Sequence, residues 1–385
     1  MSFADLGVSR SVTDALRKRG ITAPFAVQKL VIADVLAGRD VLVQSPTGSG
    51  KTLAFGVPIV DRLEPGSAKP AALVLAPTRE LATQIVAELT DVARARDLTV
   101  APVYGGVGIE RQARRAARAD IVVATPGRLE DLLQRRLLML QRVRILVIDE
   151  ADRMLDMGFK PAVDRIVART AKSRQTLFFS ATLEAAAGAQ AHAYTRDARR
   201  HVHEPQRSDR GTVSHRFVHL SHEAKVGALV SELRGAERGR TLVFVRTKRG
   251  ADRLVNRLGK HKLHAVAMHG NKSQPQRQKA LARFTAGDVD TLVATDVAAR
   301  GIDVDDITHV INFDAPGDRD AYVHRIGRTA RAGRHGSGIS FVLPDQTGEM
   351  RRIAASLGLE REFGVTRSSS GPPRRRGSRR TRSRS

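Results

Sequence analysis

Residues 40–52 read DVLVQSPTGSGKT, an apolar run that leads into a glycine-rich loop and then into a stretch of helical spacing. The run is rich in Val and Leu, as expected of a strand that is covered on both faces in a parallel sheet. Gly48 and Gly50 allow backbone N–H groups to turn toward an anion at the start of a helix. The stretch therefore predicts a strand, a phosphate-binding loop and a helix in succession.

The loop matches most of the phosphate-loop pattern G-x-x-x-x-G-K-[ST]. Ser45 stands where the pattern has its first glycine, whereas Gly50, Lys51 and Thr52 agree with it. In this pattern the lysine reaches the β- and γ-phosphates of a nucleotide, and the hydroxyl ligates Mg²⁺. A glycine-rich turn that binds nothing is the alternative, and the strand–loop–helix context argues against it.

Similar apolar runs recur through the first 200 residues, and helical stretches such as Arg79–Arg96 separate them. The runs are Asp40–Gln44, Ala71–Ala76, Asp120–Ala124, Arg144–Ile148 and Gln175–Phe179. A second set follows at Val213–Leu220, Thr241–Val245, Ala265–Met268, Thr291–Ala294, His309–Phe313 and Gly338–Leu343. Strands that alternate with helices indicate α/β domains with parallel sheets, here two in tandem.

The pattern thins between His201 and Thr212, where polar residues accompany Pro and Gly. We place a linker at 205–211, between a first domain at 1–204 and a second at 212–364. Residues 365–385 contain Ser, Pro, Gly and Arg with almost no apolar residue and cannot bury a core. We expect them to form a disordered basic tail.

The composition of the 385 residues narrows the class of protein. The absence of cysteine excludes disulfides and Cys-ligated metal sites. Since no apolar run reaches the roughly 18 residues that a membrane helix needs, we expect a cytoplasmic protein without a membrane partner. The net charge of +25 suggests a polyanion as partner. Eight arginines and no acid lie in the tail, so a positive surplus remains without it.

Asp149-Glu150-Ala151-Asp152 follows one of the buried runs. Asp149 is placed to hold Mg²⁺ through water, and Glu150 to orient and deprotonate an attacking water. Acidic pairs are common in solvated loops, but together with the phosphate loop this pair predicts a nucleoside triphosphatase site.

Residues 322–333 read YVHRIGRTARAG, with Arg325, Arg328 and Arg331 at i, i+3 and i+6. Such density suits a clamp that neutralises a γ-phosphoryl group. Binding of an RNA backbone is the alternative for this motif.

These motifs, in this order, resemble those of the DEAD-box RNA helicases, a family built from paired RecA-like domains. The resemblance runs from about Phe3 to Gly333 and covers both predicted domains. It rests on the following segments: Gly20–Pro24 with Gln28 (Q motif), Ser45–Thr52 (motif I), Ala76–Leu81 (Ia), Gly105-Gly106 (GG), Thr125–Arg128 (Ib), Asp149–Asp152 (II), Ser180–Thr182 (III), Val243–Thr247 (IV), Gln274 with Arg277 (QxxR), Ala294–Asp303 (V) and His324–Arg331 (VI). The run His269–Gln274 (HGNKSQ) also resembles the bacterial RhlE-type subgroup.

The resemblance implies a role for each matching residue. ATP would be held by Thr22, Gln28, Ser45, Pro46, Thr47, Gly48, Ser49, Gly50, Lys51, Thr52 and Asp303, with Gln28 reading adenine and Asp303 touching the ribose. Catalysis would use Lys51, Asp149, Glu150, Arg328 and Arg331, with Mg²⁺ at Thr52 and Asp149. Coupling to RNA would pass through Asp152, Ser180, Thr182 and His324. RNA, single-stranded or in a short duplex, would be contacted largely without sequence preference by Pro77, Thr78, Arg79, Gly105, Gly106, Thr125, Arg128, Thr247, Arg277 and Thr295.

The chain departs from the family's pattern at three positions. Ile21 and Ala332 stand where many relatives place an aromatic side chain against adenine, and Ala330 replaces a glycine of motif VI. The first two departures predict weak intrinsic ATP affinity, with discrimination against GTP resting on Gln28.

The resemblance thus implies an ATP-dependent RNA helicase whose cleft closes on ATP and RNA and separates a duplex locally or remodels a ribonucleoprotein. Two alternatives share its motifs: an ATP-gated RNA clamp or assembly scaffold, and an RNA-annealing chaperone that depends on the arginine tail. Ribosome-assembly or RNA-decay proteins are conceivable partners.

Deletion of residues 365–385 tests the role of the tail. Each of its eight arginines can neutralise one phosphate, and single strands give a log–log salt slope of about −0.7 per contact. We expect the deletion to flatten the salt dependence of RNA affinity by up to roughly 5 units. The measurement is RNA affinity across a salt series for the full chain and the deletion variant. An unchanged slope would assign the tail to another partner, and loss of annealing with an intact ATPase would favour the chaperone.

Overall fold

The computed structural model describes residues 1–46, 48–183, 185–203, 212–235, 239–299, 304, 306–330 and 334–364. The linker predicted at 205–211 and the tail predicted at 365–385 lie outside these residues. Within them, no helix combines the length and the apolar character that a membrane span requires.

The first domain is built on a parallel sheet with seven strands among the described residues, in the order β3-β4-β2-β5-β6-β1-β7. Its strands are β1 (Val41–Gln44), β2 (Ala72–Leu75), β3 (Val100–Val103), β4 (Ile121–Ala124), β5 (Ile145–Ile148), β6 (Gln175–Ser180) and β7 (Arg199–Val202). Its α-helices are α1 (Arg10–Lys18), α2 (Ala26–Leu36), α3 (Lys51–Arg62), α4 (Arg79–Arg94), α5 (Ile109–Arg118), α6 (Pro126–Gln134), α7 (Ala151–Asp156), α8 (Lys160–Ala168) and α9 (Ala185–Tyr194), after a 3₁₀ turn at Ala4–Leu6.

The second domain has a parallel sheet with six strands among the described residues, in the order β10-β11-β9-β12-β13-β8. The strands are β8 (Val213–His219), β9 (Arg240–Phe244), β10 (Ala265–Met268), β11 (Thr291–Ala294), β12 (Ile307–Asn312) and β13 (Gly336–Val342). The helices are α10 (Ala224–Leu233), α11 (Lys248–Lys260), α12 (Gln274–Ala286), α13 (Asp296–Ala299), α14 (Arg319–Ile326), α15 (Thr347–Ser356) and α16 (Glu360–Gly364), with a 3₁₀ turn at Pro344–Gln346.

Each sheet is buried on both faces, which explains the nearly continuous apolar runs. In β1, Val41 and Val43 join one core of the first domain, whereas Leu42 joins the core on the opposite face. The second domain repeats the arrangement, with Leu242 and Val243 of β9 in different cores. Successive side chains of a strand point to opposite faces, so burial on both sides requires apolar residues at every position.

The sequence missed both edge strands of the first sheet. β3 reads VAPV, and its Pro102 is tolerated because an edge strand has one side without a ladder partner. β7 reads RRHV and is mostly exposed, so it carries no hydrophobic pattern. The polar stretch that begins at His201 starts inside β7, since His201 and Val202 pair with Val43 and Gln44 of β1. The helix expected over Arg79–Arg96 ends at Arg94.

All the strand pairings in the described sheets are parallel, so each sheet gathers the loops after its strands at one edge. The loops after β1, β2, β4, β5 and β6 carry the motifs of the first domain, and the loops after β9 and β11 carry motifs of the second. Ligands bind at this edge in open α/β sheets. The topology thus brings motifs that are far apart in sequence into one site.

Candidate nucleotide and RNA sites

The phosphate loop joins β1 to α3 and is held by its own polar groups. Gly48 and Gly50 have φ angles of 82° and 87°, a left-handed conformation that favours glycine. The Lys51 ammonium donates to the carbonyl oxygen of Ser45 at 3.1 Å, and the hydroxyls of Ser45 and Ser49 lie 2.6 Å apart. Thr47 lies outside the described residues. The loop thus brings the lysine to the first turn of α3, where backbone N–H groups can receive an anion.

Gln28 ties the Q motif to the phosphate loop. Its amide oxygen accepts from the backbone N–H of Phe25 at 2.8 Å, and its amide nitrogen donates to the carbonyl oxygen of Gly50 at 3.0 Å. A carboxamide has two donors and two lone pairs, so one N–H and one lone pair remain for a ligand. Gln28 is buried, with 2% of its surface exposed. The residue predicted to read adenine therefore also fixes the loop that would hold the phosphates.

Two carboxylates lie side by side in the interior at the end of β5. Asp149 is 3% exposed and Glu150 is 5% exposed, and the Glu150 backbone N–H donates to Asp149 Oδ1 at 3.0 Å. Glu150 has a φ of 51°, which turns the chain sharply into α7. Buried charges need compensation, so the surroundings of these two groups decide what the site can bind.

Neighbouring positive charges offset the burial of the two carboxylates to different extents. Burial raises the pKa of Asp149 to about 7, although the charge of Lys51 opposes this rise. Burial would also raise the pKa of Glu150, but the charges of Arg153, Lys51 and Arg328 lower it below its ordinary value. Arg153 donates to Glu150 Oε2 at 2.6 Å. Glu150 is therefore kept ionised by protein groups, whereas Asp149 is left short of positive charge.

The surroundings of Asp149 fit a bound Mg²⁺. A buried carboxylate with a raised pKa is stabilised by a cation, and oxygen ligands are those that Mg²⁺ prefers. Thr52, in the first turn of α3, supplies a hydroxyl on the phosphate-loop side of the site. Among the described residues no cluster of three or more His, Asp or Glu side chains could hold a metal ion.

Asp152 connects this site to the Ser180–Thr182 segment. Its Oδ2 accepts from the backbone N–H groups of Ala181 at 3.0 Å and of Thr182 at 3.1 Å. Its own backbone N–H donates to the Ser180 hydroxyl at 3.4 Å. His324, from the second domain, lies close enough for the charges of Arg153 and Asp152 to act on it, and burial lowers its pKa. The four residues predicted to couple the two activities thus meet at the boundary between the domains.

The arginines of motif VI have separate positions. Arg325 is held inside the second domain by Asp296, which its Nη2 contacts at 2.7 Å, and by Asn312 at 3.1 Å. The prediction that all three arginines form a phosphate clamp was therefore wrong for Arg325, whose charge is already neutralised. Arg328 is 3% exposed and lies near Glu150, on the opposite side of the cleft. Arg331 lies outside the described residues, as do Asp303 and Ala332.

A groove of about 460 Å³ runs between the two domains beside this site. Seven of the residues predicted to contact RNA line it: Pro77, Thr78, Arg79, Gly105, Thr125, Arg128 and Arg277. The sequence did not single out Gly127, Met157, Phe159 and Val297, which also line it. These four residues have no polar side chain, so nothing in the sequence identified them as part of the groove.

The other residues predicted to contact RNA lie outside the groove lining. Gly106 has a φ of 87°, and a Cβ there would collide with the Arg79 guanidinium, which covers the GG element. Thr247 caps α11 by accepting from the Gly250 backbone N–H at 2.9 Å. Thr295 is buried after β11. Thr22, which was predicted to bind ATP rather than RNA, is exposed in the Q motif.

A buried ion pair crosses the cleft at the groove. Arg277 Nη2 of α12 lies 2.9 Å from Glu80 Oε1 of α4, and the two side chains are 11% and 5% exposed. Sequence reasoning assigned Arg277 to RNA and missed Glu80, although Glu80 stands beside Arg79 in motif Ia. Arg153 was missed as well, and its position one helical turn after Glu150 was the available signal.

Comparison with known proteins gives concordant matches. The family described as DEAD/DEAH box helicase matches residues 25–189, and the helicase conserved C-terminal domain matches residues 224–333. The chain is 40% identical over 361 residues to the DEAD-box ATP-dependent RNA helicase CshA of Bacillus licheniformis, covering 92% of this chain and 73% of that protein.

Two solved structures have the same arrangement of both domains. Dbp5 of S. cerevisiae bound to RNA and ADP BeF3 superposes with a TM-score of 0.83 and 29% identity, over 93% of this chain and 94% of that one. Mss116p bound to ssRNA and AMP-PNP gives a TM-score of 0.81 and 27% identity, over 91% and 76%. These relatives give no support to the RhlE-type subgroup expected from His269–Gln274.

The Glu80–Arg277 pair is expected to stabilise the closed cleft. Arg277→Gln leaves the Glu80 charge buried without its partner, and breaking a buried pair in this way costs about 3–5 kcal/mol. We expect Arg277→Gln to shift the domains toward an open arrangement, and Glu80→Gln/Arg277→Gln to recover part of the closed population. The measurement is energy transfer between dyes on Lys18→Cys and Lys260→Cys, since the chain has no other cysteine. If energy transfer is equal in the single and the double variant, the Glu80–Arg277 pair does not stabilise the closed cleft.

Proposed function

The chain belongs to the DEAD-box ATP-dependent RNA helicases, and we propose that it couples hydrolysis of ATP at the Lys51–Asp149–Glu150 site to closure of the cleft on RNA. One observation carries the proposal: Arg328 of the second domain lies close enough to the buried Glu150 of the first for its charge to lower the pKa of that carboxyl, so both domains contribute to the hydrolytic site. The protein is an enzyme, an RNA-stimulated ATPase and RNA helicase, with ATP as its substrate.

We infer the following roles for the residues of the site. Lys51 would exchange its hydrogen bond to the Ser45 carbonyl for the β- and γ-phosphates. Glu150, kept ionised by Arg153, would orient a water and take its proton. Arg328 would neutralise charge that develops on the γ-phosphoryl group, and Arg331 is proposed to assist it. Asp149 and Thr52 would hold Mg²⁺, whose positive charge would offset that of the nucleotide phosphates.

RNA would stimulate turnover because it binds where the domains meet. The groove takes walls from both domains, with Arg79 and Arg128 on one side and Arg277 on the other. An RNA backbone in this groove would draw the domains together and so favour the arrangement that places Arg328 at Glu150. The arrangement resembles that of relatives whose structures contain RNA with ADP BeF3 or AMP-PNP.

Closure is proposed to separate a short duplex locally or to remodel a ribonucleoprotein. It would do so largely without reading the RNA sequence, because the groove offers Thr, Gly and Arg for contacts with sugar and phosphate. An ATP-gated clamp would close in the same way, and only a duplex-separation assay distinguishes such a clamp from a helicase. ATP and RNA are both found in the cytoplasm, where we expect the protein to act, with ribosome-assembly or RNA-decay proteins as proposed partners.

The adenine base is proposed to pack against Phe25. Ile21, where many relatives have an aromatic residue, is partly buried against the core of the first domain and presents little surface to a ligand. Phe25 is 63% exposed, and a Cβ at Gly50 would lie 2.6 Å from its ring, so the ring covers the phosphate loop. The same residue starts α2 and donates to Gln28. An aromatic face therefore lies next to the amide that would read the base.

Replacement of the general base tests the proposed chemistry. Glu150→Gln keeps the shape of the side chain but cannot take a proton, and a positioned base contributes about 10²–10⁴-fold to rate. We expect RNA-stimulated ATP hydrolysis to fall by at least about 100-fold while ATP and RNA still bind. Single-turnover hydrolysis and RNA affinity with ATP are the measurements, and the thermal midpoint controls for folding. Wild-type hydrolysis in Glu150→Gln would remove Glu150 from the mechanism.

Two further variants test the base-binding surface. Stacking of an aromatic side chain on a base is worth about 1–3 kcal/mol, so Phe25→Ala should weaken ATP binding by about 5- to 150-fold. Phe25→Tyr keeps the ring and should bind ATP normally. Gln28→Ala should mainly lower the preference for ATP over GTP, because Gln28 would meet mismatched donors and acceptors in guanine. Nucleotide affinity without RNA is the measurement, and unchanged affinity in Phe25→Ala would place adenine elsewhere.

A further inference from the structure

Helix α5 presents a face made entirely of arginine. Arg111, Arg114, Arg115 and Arg118 are all exposed. At about 100° of rotation per residue, the four side chains fall within an arc of about 100°. Gln112, Ala113 and Ala116 are buried on the opposite side of the helix. The four arginines, here called the α5 arginine face, therefore point to solvent together.

Positive charge dominates this helix, since Glu110, four residues before Arg114, is the one acid of α5 against the four arginines. The structure describes every residue of α5. None of the four guanidinium groups forms an ion pair or hydrogen bond with a described residue, whereas Arg128 of α6 and Arg135 just after it share Asp131. Like charges three and four residues apart destabilise a helix by about 0.2–0.5 kcal/mol per pair. The helix dipole favours cations in the last turn, which accounts for Arg115 and Arg118 but not for Arg111 and Arg114. The arrangement therefore favours an external polyanion.

The face begins at the edge of the interdomain groove. Arg128, which lines the groove, donates to the Val107 carbonyl oxygen at 2.9 Å and to Gln112 Oε1 of α5 at 3.3 Å. Gly105, another lining residue, lies four residues before α5 begins. From Arg111 the face continues for about 10 Å along the helix to Arg118. A strand that leaves the groove at this edge would meet the α5 arginine face next.

We propose that the α5 arginine face is a second RNA-backbone surface, which holds the nucleotides that emerge from the groove on the first domain. The inference rests on the proposed function and extends its RNA footprint. Arginine forks match phosphate oxygens, and this face has no aromatic side chain on which a base could stack, so it contacts the backbone without reading sequence. A length of about 10 Å corresponds to about three nucleotides at roughly 3.4 Å of rise each.

The test compares RNA affinity across a salt series for two oligouridylates of about 6 and about 14 nucleotides, lengths within the range of single-strand sites. The variant is Arg114→Gln/Arg115→Gln/Arg118→Gln in the full chain with an ATP analogue. Because this variant removes three phosphate-binding side chains, each worth about 0.7 in slope, we expect the log–log slope for the longer RNA to flatten by up to about 2 units. We expect the slope for the shorter RNA to stay unchanged.

Two matched variants isolate the cause. Arg114→Lys/Arg115→Lys/Arg118→Lys keeps the charge and should retain the slope. Arg249→Gln/Arg253→Gln/Arg257→Gln removes the same number of exposed arginines from α11 of the second domain, and should leave the slope near that of the unmodified protein. Arg and Gln have similar helix propensity, so thermal midpoints should agree. If the triple Gln variant does not fold, Arg118→Gln alone should flatten the slope by about 0.7.

The outcomes separate this inference from the proposed function. Equal flattening for both RNA lengths, or equal flattening by the α11 variant, would make the effect one of net charge and overturn the inference. An unchanged slope in the α5 Gln variant would overturn it as well, and would assign the face to an acidic protein. Failure of the unmodified protein to bind either RNA in the presence of the ATP analogue would instead overturn the proposed function.

Discussion

Two buried carboxylates side by side set the requirements that the rest of the molecule meets. Asp149 and Glu150 are almost entirely removed from water, where unpaired charges are costly. Glu150 draws its compensation from Arg153 on its own helix, Lys51 on the phosphate loop and Arg328 on the other domain. Asp149 has less, and its raised pKa marks the position where Mg²⁺ on a nucleotide would complete the site. Compensation of buried charge thus links the phosphate loop, the acidic motif and the second domain.

Two parallel sheets explain how residues so far apart in sequence meet this requirement. In the first domain, β1, β5 and β6 end at the same edge, and they deliver Lys51, Glu150 and Ser180 there. The second domain turns the same kind of edge toward the first, which brings His324 and Arg328 to the acidic motif. The Glu80–Arg277 pair lies on this same boundary at the RNA groove. Closing the cleft therefore assembles the hydrolytic site and the RNA groove in one movement.

The sequence predicted those features that depend on one segment at a time. The strand–loop–helix at 40–52 and the buried runs were recognisable because a sheet covered on both faces leaves a continuous apolar pattern. Edge strands β3 and β7 lack that pattern, so they were missed. Arg325 was misassigned because its neutralisation by Asp296, from another segment, is visible only in three dimensions. Glu80 was overlooked for the same reason, since it gains its meaning from a partner far along the chain, Arg277.

The charges at the cleft differ between the closed and the open arrangement of the domains. In the closed form, Arg328 adds its charge to that of Arg153 at Glu150, and the pair Glu80–Arg277 is shielded from water. In an open arrangement Glu150 would keep Arg153, which lies on the following helix of the same domain, whereas Arg328 would move away from Glu150. Glu80 and Arg277 become exposed to solvent, where water replaces the contact and salt screens it. The hydrolytic residues of the first domain would thus keep their surroundings when the cleft opens. Opening would remove only the contribution of the second domain. Under the proposed function, nucleotide and RNA would bind across the cleft and control that contribution together.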